Sequence, residues 1–139
     1  GLMAAFRRDK VLSGSRIIDL GCGWYATFAR VAHALGATVY TVDASPLGDK
    51  YLAGVDGHVA LDLNAGNAIQ ELNARTGGQF DTVTENIISA TTYDTSNIQT
   101  PSPERILSIA KDLLKPGGYL YSNAHRTSQG SNFTVLRKK

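Results

Sequence analysis

Two rhythms of apolar and polar residues alternate along this chain. Short β-branched or apolar runs are separated by stretches with apolar residues at helical spacing. Arg16–Leu20 reads as a first strand. A helix over Ala26–Leu35 follows, with Phe28, Val31, Ala32 and Leu35 on one face and Gly36 as its stop. Thr38–Val42 is a second strand, Leu47–Ala53 a short helix and His58–Leu61 a third strand. Asn67–Ala74 predicts a helix closed by Thr76, Gly77 and Gly78, and Phe80–Ile88 contains a fourth strand. Ser102 and Pro103 read as N-cap and first turn of a helix that buries Ile106, Leu107, Ile109, Ala110, Leu113 and Leu114. Lys115-Pro116-Gly117-Gly118 ends that helix. Tyr119–Asn123 is then a fifth strand, and Phe133–Leu136 a short last one, antiparallel at the edge. Leu2–Val11 reads as an amphipathic opening helix. The alternation predicts an α/β fold: a doubly wound, mostly parallel sheet with helices on both faces and a short antiparallel edge strand. Ser89–Ser102 is a long polar loop, of the kind that is usually functional or disordered.

Composition narrows the classes. A chain of 139 residues is expected to form one domain over residues 1–139. Its 42% apolar and 19% charged shares are ordinary for a soluble globular protein. A net charge of +2 does not indicate nucleic acid, and the basic clusters Arg7-Arg8 and Arg137–Lys139 read as solvated ends. The one cysteine, Cys22, rules out an internal disulfide and fits a reducing compartment. No apolar run approaches the roughly 20 residues that span a bilayer, and Leu2–Phe6 is too short for a signal peptide. The expectation is a cytoplasmic protein with no membrane partner.

The candidate chemistry sits at the carboxyl ends of the first three strands, where Asp19, Asp43 and Asp62 stand. In a doubly wound sheet those ends line one crevice, which is where ligands bind. Gly21 and Gly23 let the backbone approach a ligand with no Cβ in the way, and the helix that follows offers free N–H groups. An acid after the second strand is placed to accept from both hydroxyls of a ribose. Gly21-Cys22-Gly23-Trp24-Tyr25-Ala26 also satisfies the Gly-x-Gly-x-x-Gly/Ala dinucleotide pattern, with Asp43 about 20 residues on, so a nicotinamide cofactor is a competing reading. Against it stands Asp19, which would set a carboxylate near the pyrophosphate.

Ile17–Gly23, Val42–Ser45, Leu61–Leu63, Phe80–Val83 and Leu113–Leu120, in this order and spacing, resemble the Rossmann-like S-adenosylmethionine-dependent methyltransferases. The resemblance runs from Arg16 to Asn123. It implies a Rossmann-like sheet, S-adenosylmethionine as cofactor and S-adenosylhomocysteine as product. It places Asp19 with Gly21, Cys22 and Gly23 at the methionine portion. Asp43 with Ala44 falls at the ribose, Asp62 with the Leu63 backbone at the adenine, and Glu85 and Asn86 between the methionine end and the substrate. Two features depart from the family. Tyr25 stands where a third glycine is common, and about sixteen residues follow the fifth strand where the family usually adds a helix and an antiparallel strand pair.

Methyl transfer of this kind is an in-line displacement, so the protein chiefly positions two reactants and excludes water. Glu85, Asp94 and His125 are the candidate bases, of which Glu85 and His125 are expected to be catalytic; no metal ligands are expected. His33 and His58 read as surface or packing residues, and Cys22 as a small side chain without a base partner. Trp24 and Tyr25 read as pocket walls or core aromatics, and their place at the loop favours walls. No Asn/Asp-Pro-Pro-aromatic run follows the fourth strand, which points away from amino groups of nucleic-acid bases and toward a small molecule or a peptide side chain. A non-catalytic methyltransferase-like domain that binds the cofactor or a protein partner is the alternative. A homodimer covering an open sheet edge is a further expectation.

Overall fold

A computed structural model describes residues 13–85, 100–122 and 134–139. The expected opening helix, the loop over 89–99, Asn86, Asp94 and His125 lie outside the described residues. The ordered elements are β1 (Arg16–Leu20), α1 (Thr27–Ala34), β2 (Thr38–Asp43), α2 (Asp49–Leu52), β3 (Gly57–Ala60), α3 (Ala68–Thr76), β4 (Phe80–Glu85), α4 (Pro103–Leu113), β5 (Leu114–Ser122) and β6 (Thr134–Arg137). The six strands form one sheet in the order β3-β2-β1-β4-β5-β6. The first five are parallel, and β6 runs antiparallel to β5 at the edge.

Strand periodicity sorts the core onto two faces. Ile17 and Val39 point to the side covered by Ala29 and Ala32 of α1 and by Leu47 and Tyr51 around α2. Ile18, Leu20 and Val42 point to the opposite side, against Leu72 of α3 and Ile106, Ile109 and Leu113 of α4. Because both faces are covered, the central strand is apolar between its first residue, Arg16, and its end, except for the buried Asp19. The α4 start agrees with expectation: the Ser102 hydroxyl accepts from the Arg105 N–H at 3.1 Å, and Pro103 occupies the first turn. No helix among the described residues is long and apolar enough to cross a membrane.

Most element ends shift from the sequence reading by one or two residues, and the start of β5 differs in kind. Leu114 already belongs to β5, and the Lys115–Gly118 segment is a bulge inside the strand rather than a break before it. Gly117 adopts φ +83° there, and its N–H donates to the Lys138 carbonyl beyond β6. A Cβ on Gly118 would lie 3.0 Å from the Asp81 carbonyl oxygen, so β4 packs directly on that glycine. Lys138 closes the arrangement: its ammonium donates to the carbonyls of Lys111, in the last turn of α4, and of Leu114, where β5 begins.

Candidate functional site

Parallel pairing brings the ends of β1, β2, β3 and β4 to one rim of the sheet. Gly21 and Cys22 both direct their N–H groups to the Val42 carbonyl, at 2.7 and 3.1 Å, so the loop after β1 folds over the end of β2. Gly21 and Gly23 have φ of +71° and +75°, a region that suits glycine, and a Cβ on Gly23 would meet open space. The Gly23 N–H donates to Asp43 Oδ2 at 3.1 Å, and the Ser45 N–H to Asp43 Oδ1 at 3.1 Å. A carboxylate has about four lone-pair sites, so Asp43 can accept from further donors. Ala44, next to it, is exposed.

Asp19 lies one residue before the end of β1 and is 4% exposed. Thr84 Oγ1 donates to its Oδ1 at 2.6 Å. Burial pushes the carboxyl up to about 7, and the neighbouring Glu85 and Asp43 charges add to the rise against the stabilising Thr84 bond. Glu85 is also buried and accepts from the Ser122 hydroxyl at 2.8 Å. Register puts Glu85 beside Leu20, one residue further along than Asp19 and toward the opposite face. Asp19 and Glu85 are therefore adjacent at the rim without sharing a hydrogen-bonding face. The Cys22 thiol is pushed up to about 12 by burial and by the Asp19 and Asp43 charges, which favours the protonated form; a ring nitrogen, His58 Nδ1, does lie 4.0 Å from its sulfur, which the sequence did not indicate.

Asp62 is exposed beyond β3 and accepts from the Asn64 N–H at 2.9 Å, which organises its own turn. It does not cap α3, whose N-cap is Asn67. Leu63 is buried, and its carbonyl accepts from Arg105 Nε at 2.9 Å. The backbone between them reaches the site through Leu61, whose N–H donates to the Asp43 carbonyl at 2.8 Å. Trp24 and Tyr25 are 61% and 56% exposed, on the loop side of the cradle. The Tyr25 ring stands edge-on to Tyr51 at 5.4 Å, and the Arg30 guanidinium lies 4.9 Å over Tyr51. Tyr25 thus docks on α2 in place of the missing glycine. Ala26, after it, adopts the left-handed conformation at φ 46° to start α1.

Three residues of the site escaped sequence reasoning: Thr41, Thr84 and His58. Register aligns His58, Thr41, Asp19, Thr84 and Tyr121 as one row across five strands. Part of the signal was available, because Asp19 and Thr41 each stand one residue before the carboxyl end of the expected strand, whereas Thr84 lies inside the longer Phe80–Ile88 stretch. The row becomes visible only when strand order is known.

The chain matches the model of a family described as a methyltransferase domain over residues 18–122. It is 33% identical over 133 residues to a ubiquinone biosynthesis O-methyltransferase of Xanthomonas oryzae pv. oryzae, covering 90% of this chain and 49% of that protein. The chain therefore spans about half the length of the curated relatives it matches. Among solved structures, a TehB-like SAM-dependent methyltransferase from Corynebacterium glutamicum superposes with a TM-score of 0.65 at 16% identity, over 98% of this chain and 86% of that one. The alcohol dehydrogenase TADH from Thermus sp. ATN1 also superposes, with a TM-score of 0.56 at 18% identity over 92% of this chain and 34% of that one. At these identities the structural likeness concerns the fold alone, which two cofactor chemistries share.

Proposed function

The chain belongs to the methyltransferase domain family, and from that premise we propose that it binds S-adenosylmethionine at the rim of β1, β2 and β3 for methyl transfer to a hydroxyl of a small molecule. The observation that carries the reading is the Asp43 carboxylate, bonded to the Gly23 N–H beside the open space in front of that glycine. Asp43 has acceptor capacity left for a pair of ribose hydroxyls, and a carboxylate there disfavours a phosphorylated ribose. Ala44 stays with Asp43 at the ribose, and the Asp62–Leu63 segment, tied to Asp43 through Leu61, supplies the adenine side. Gly21, Cys22 and Gly23 supply the close backbone approach at the methionine portion. Asp19 and Glu85 bring two carboxyls under that end, which suits a ligand with positive charge. Hydroxyl acceptance is supported by the name of the Xanthomonas relative.

When bound, the cofactor supplies a sulfonium methyl group that an acceptor oxygen can displace in line. The chain's own part is to hold the adenosine through Asp43, to fix the Asp19 carboxyl through Thr84, and to keep water from the methionine end with a buried Glu85–Ser122 pair. Glu85 and His125 are the proposed acceptor-side groups. Titration calorimetry of the protein with S-adenosylmethionine, S-adenosylhomocysteine and NAD tests the reading. Binding of the two sulfur compounds without NAD is expected; a folded protein that binds NAD, or neither sulfur compound, overturns it.

A further inference from the structure

By sequence His58 is a surface or packing residue, yet in the structure it reaches both loops of the cradle, at Ser45 and Cys22. It stands on β3, in register with Thr41 of β2. Its Nε2 lies 3.0 Å from the Ser45 carbonyl and its Nδ1 2.8 Å from Thr41 Oγ1. The Cys22 sulfur lies 4.0 Å from the same Nδ1. A carbonyl oxygen can only accept, so Nε2 carries the hydrogen that is donated to Ser45. In the neutral ring Nδ1 is then an acceptor, and the Thr41 hydroxyl donates to it.

That bond has a defined recipient. Ser45 is the residue whose N–H donates to Asp43 Oδ1, and Asp43 Oδ2 accepts from Gly23. His58 therefore holds the carbonyl of Ser45 while Asp43 holds its N–H, so the peptides on both sides of Ser45 are fixed. Pro46 follows, which disfavours the helical conformation at Ser45 and adds no donor. The chain of contacts runs from the outer strand to the glycine loop: Thr41, His58, Ser45, Asp43, Gly23. A carboxylate that accepts from two ribose hydroxyls must be held within a few tenths of an ångström and a narrow range of angles, because hydrogen bonds weaken steeply when misaligned.

We infer that His58 is a positioning residue for the adenosine end of the site: it braces the Asp43–Ser45 turn so that the Asp43 carboxylate is set for the ribose before the ligand arrives. The inference rests on the proposed cofactor. It also distinguishes His58 from His33, which faces Asp56 at 3.6 Å at the other end of the sheet.

Two variants and one control test it. His58→Leu keeps bulk and removes both hydrogen bonds; His58→Gln keeps one donor and one acceptor; Thr41→Val removes the hydroxyl that orients the ring. Affinity for S-adenosylhomocysteine is measured by calorimetry, and KM for S-adenosylmethionine and kcat by turnover of an accepted hydroxyl-bearing small molecule. Thermal melting monitors the fold. His58→Leu is expected to weaken binding about tenfold and to raise KM with kcat unchanged at saturation. Thr41→Val should weaken it about threefold, and His58→Gln should return it to within about twofold of the parent. Unchanged affinity in a folded His58→Leu protein overturns the inference. So does a loss of kcat and melting temperature that Gln does not restore, since that describes a packing residue. A parent protein that binds no adenosine ligand overturns the proposed cofactor instead, and the inference falls with it.

Discussion

The two ends of the sheet treat their carboxylates in opposite ways. At the amino end, Asp81 takes the Arg16 N–H at 2.8 Å and an ion pair from Lys115. The Arg16 side chain there is used by the carbonyls of Gly78 and Thr76, and its guanidinium lies 4.7 Å over the Phe80 ring. Asp56 accepts from the Val39 N–H at 2.7 Å with His33 nearby. At the carboxyl end, Asp19 and Asp43 accept from a hydroxyl and from backbone N–H groups, all neutral donors. The contrast shows in proton affinity. Burial disfavours the charged form of Asp81, but the Lys115 bond, the Arg16 N–H and both positive charges outweigh it and lower its pKa. Asp19 is raised to about 7. The acid with cations beside it, Asp81, ties strands together; the two at the carboxyl end are left to neutral donors, as the proposed ligand site requires.

The largest test of that contrast is pH. The folded Asp19 carboxyl binds its proton more tightly than the unfolded one. Unliganded stability therefore falls as pH rises from about 4 to about 7, with a slope approaching ~1.4 kcal/mol per unit, and levels off above. Asp81 has the opposite sign: its contribution is present above the unfolded carboxylate range and is lost as pH falls through and below it. Urea unfolding at pH 5 and 7.5 should differ by about 3 kcal/mol in the parent and much less in Asp19→Asn. Equal slopes in the two proteins would remove the special status of Asp19.

Next in size, Asp43→Ala should weaken S-adenosylhomocysteine by about 2 kcal/mol, because two hydrogen bonds to a charged acceptor are lost. Unchanged calorimetric affinity would mean that the ribose lies elsewhere. Asp81→Ala is the mirror experiment. It should lower stability by roughly 1 kcal/mol, by orphaning the Arg16 N–H, and leave ligand affinity alone. A binding loss there would break the division between the two ends. The smallest effect concerns Cys22, whose thiol at about 12 should alkylate with iodoacetamide at pH 8 far more slowly than a free thiol near 8.5. Fast labelling of folded protein would contradict the local negative field.

Much of this arrangement is legible in the chain itself. Arg16–Leu20 reads correctly to the residue because an apolar run meets a glycine turn, and Ser102-Pro103 announces α4 by capping chemistry. Asp43 could be assigned to the rim because its strand ends on it. The β5 bulge was misread for a physical reason. Lys115–Gly118 has the composition of a helix stop, and only pairing of Gly117 and Gly118 with Lys138, about twenty residues on, makes it part of a strand. His58 was missed in the same way. Its partners Thr41 and Ser45 lie 17 and 13 residues back, and no local spacing couples a strand's histidine to a turn on its neighbour. The amino-end network is likewise invisible, since Arg16 and Asp81 are 65 residues apart.

That same separation bears on how the cradle comes into being. β1 pairs with β2 on one side and β4 on the other, so it is the seam between two consecutive halves of the chain. The Asp19–Thr84 bond crosses the seam and closes a 65-residue loop. Contacts of that span are slow to form, because loop entropy is lost before they are rewarded. During synthesis the glycine loop and Asp43 can therefore be assembled by the first half alone. Asp19, though, keeps open access to water until β4 arrives. Its burial, and with it the raised proton affinity, would be among the last properties the folding chain acquires.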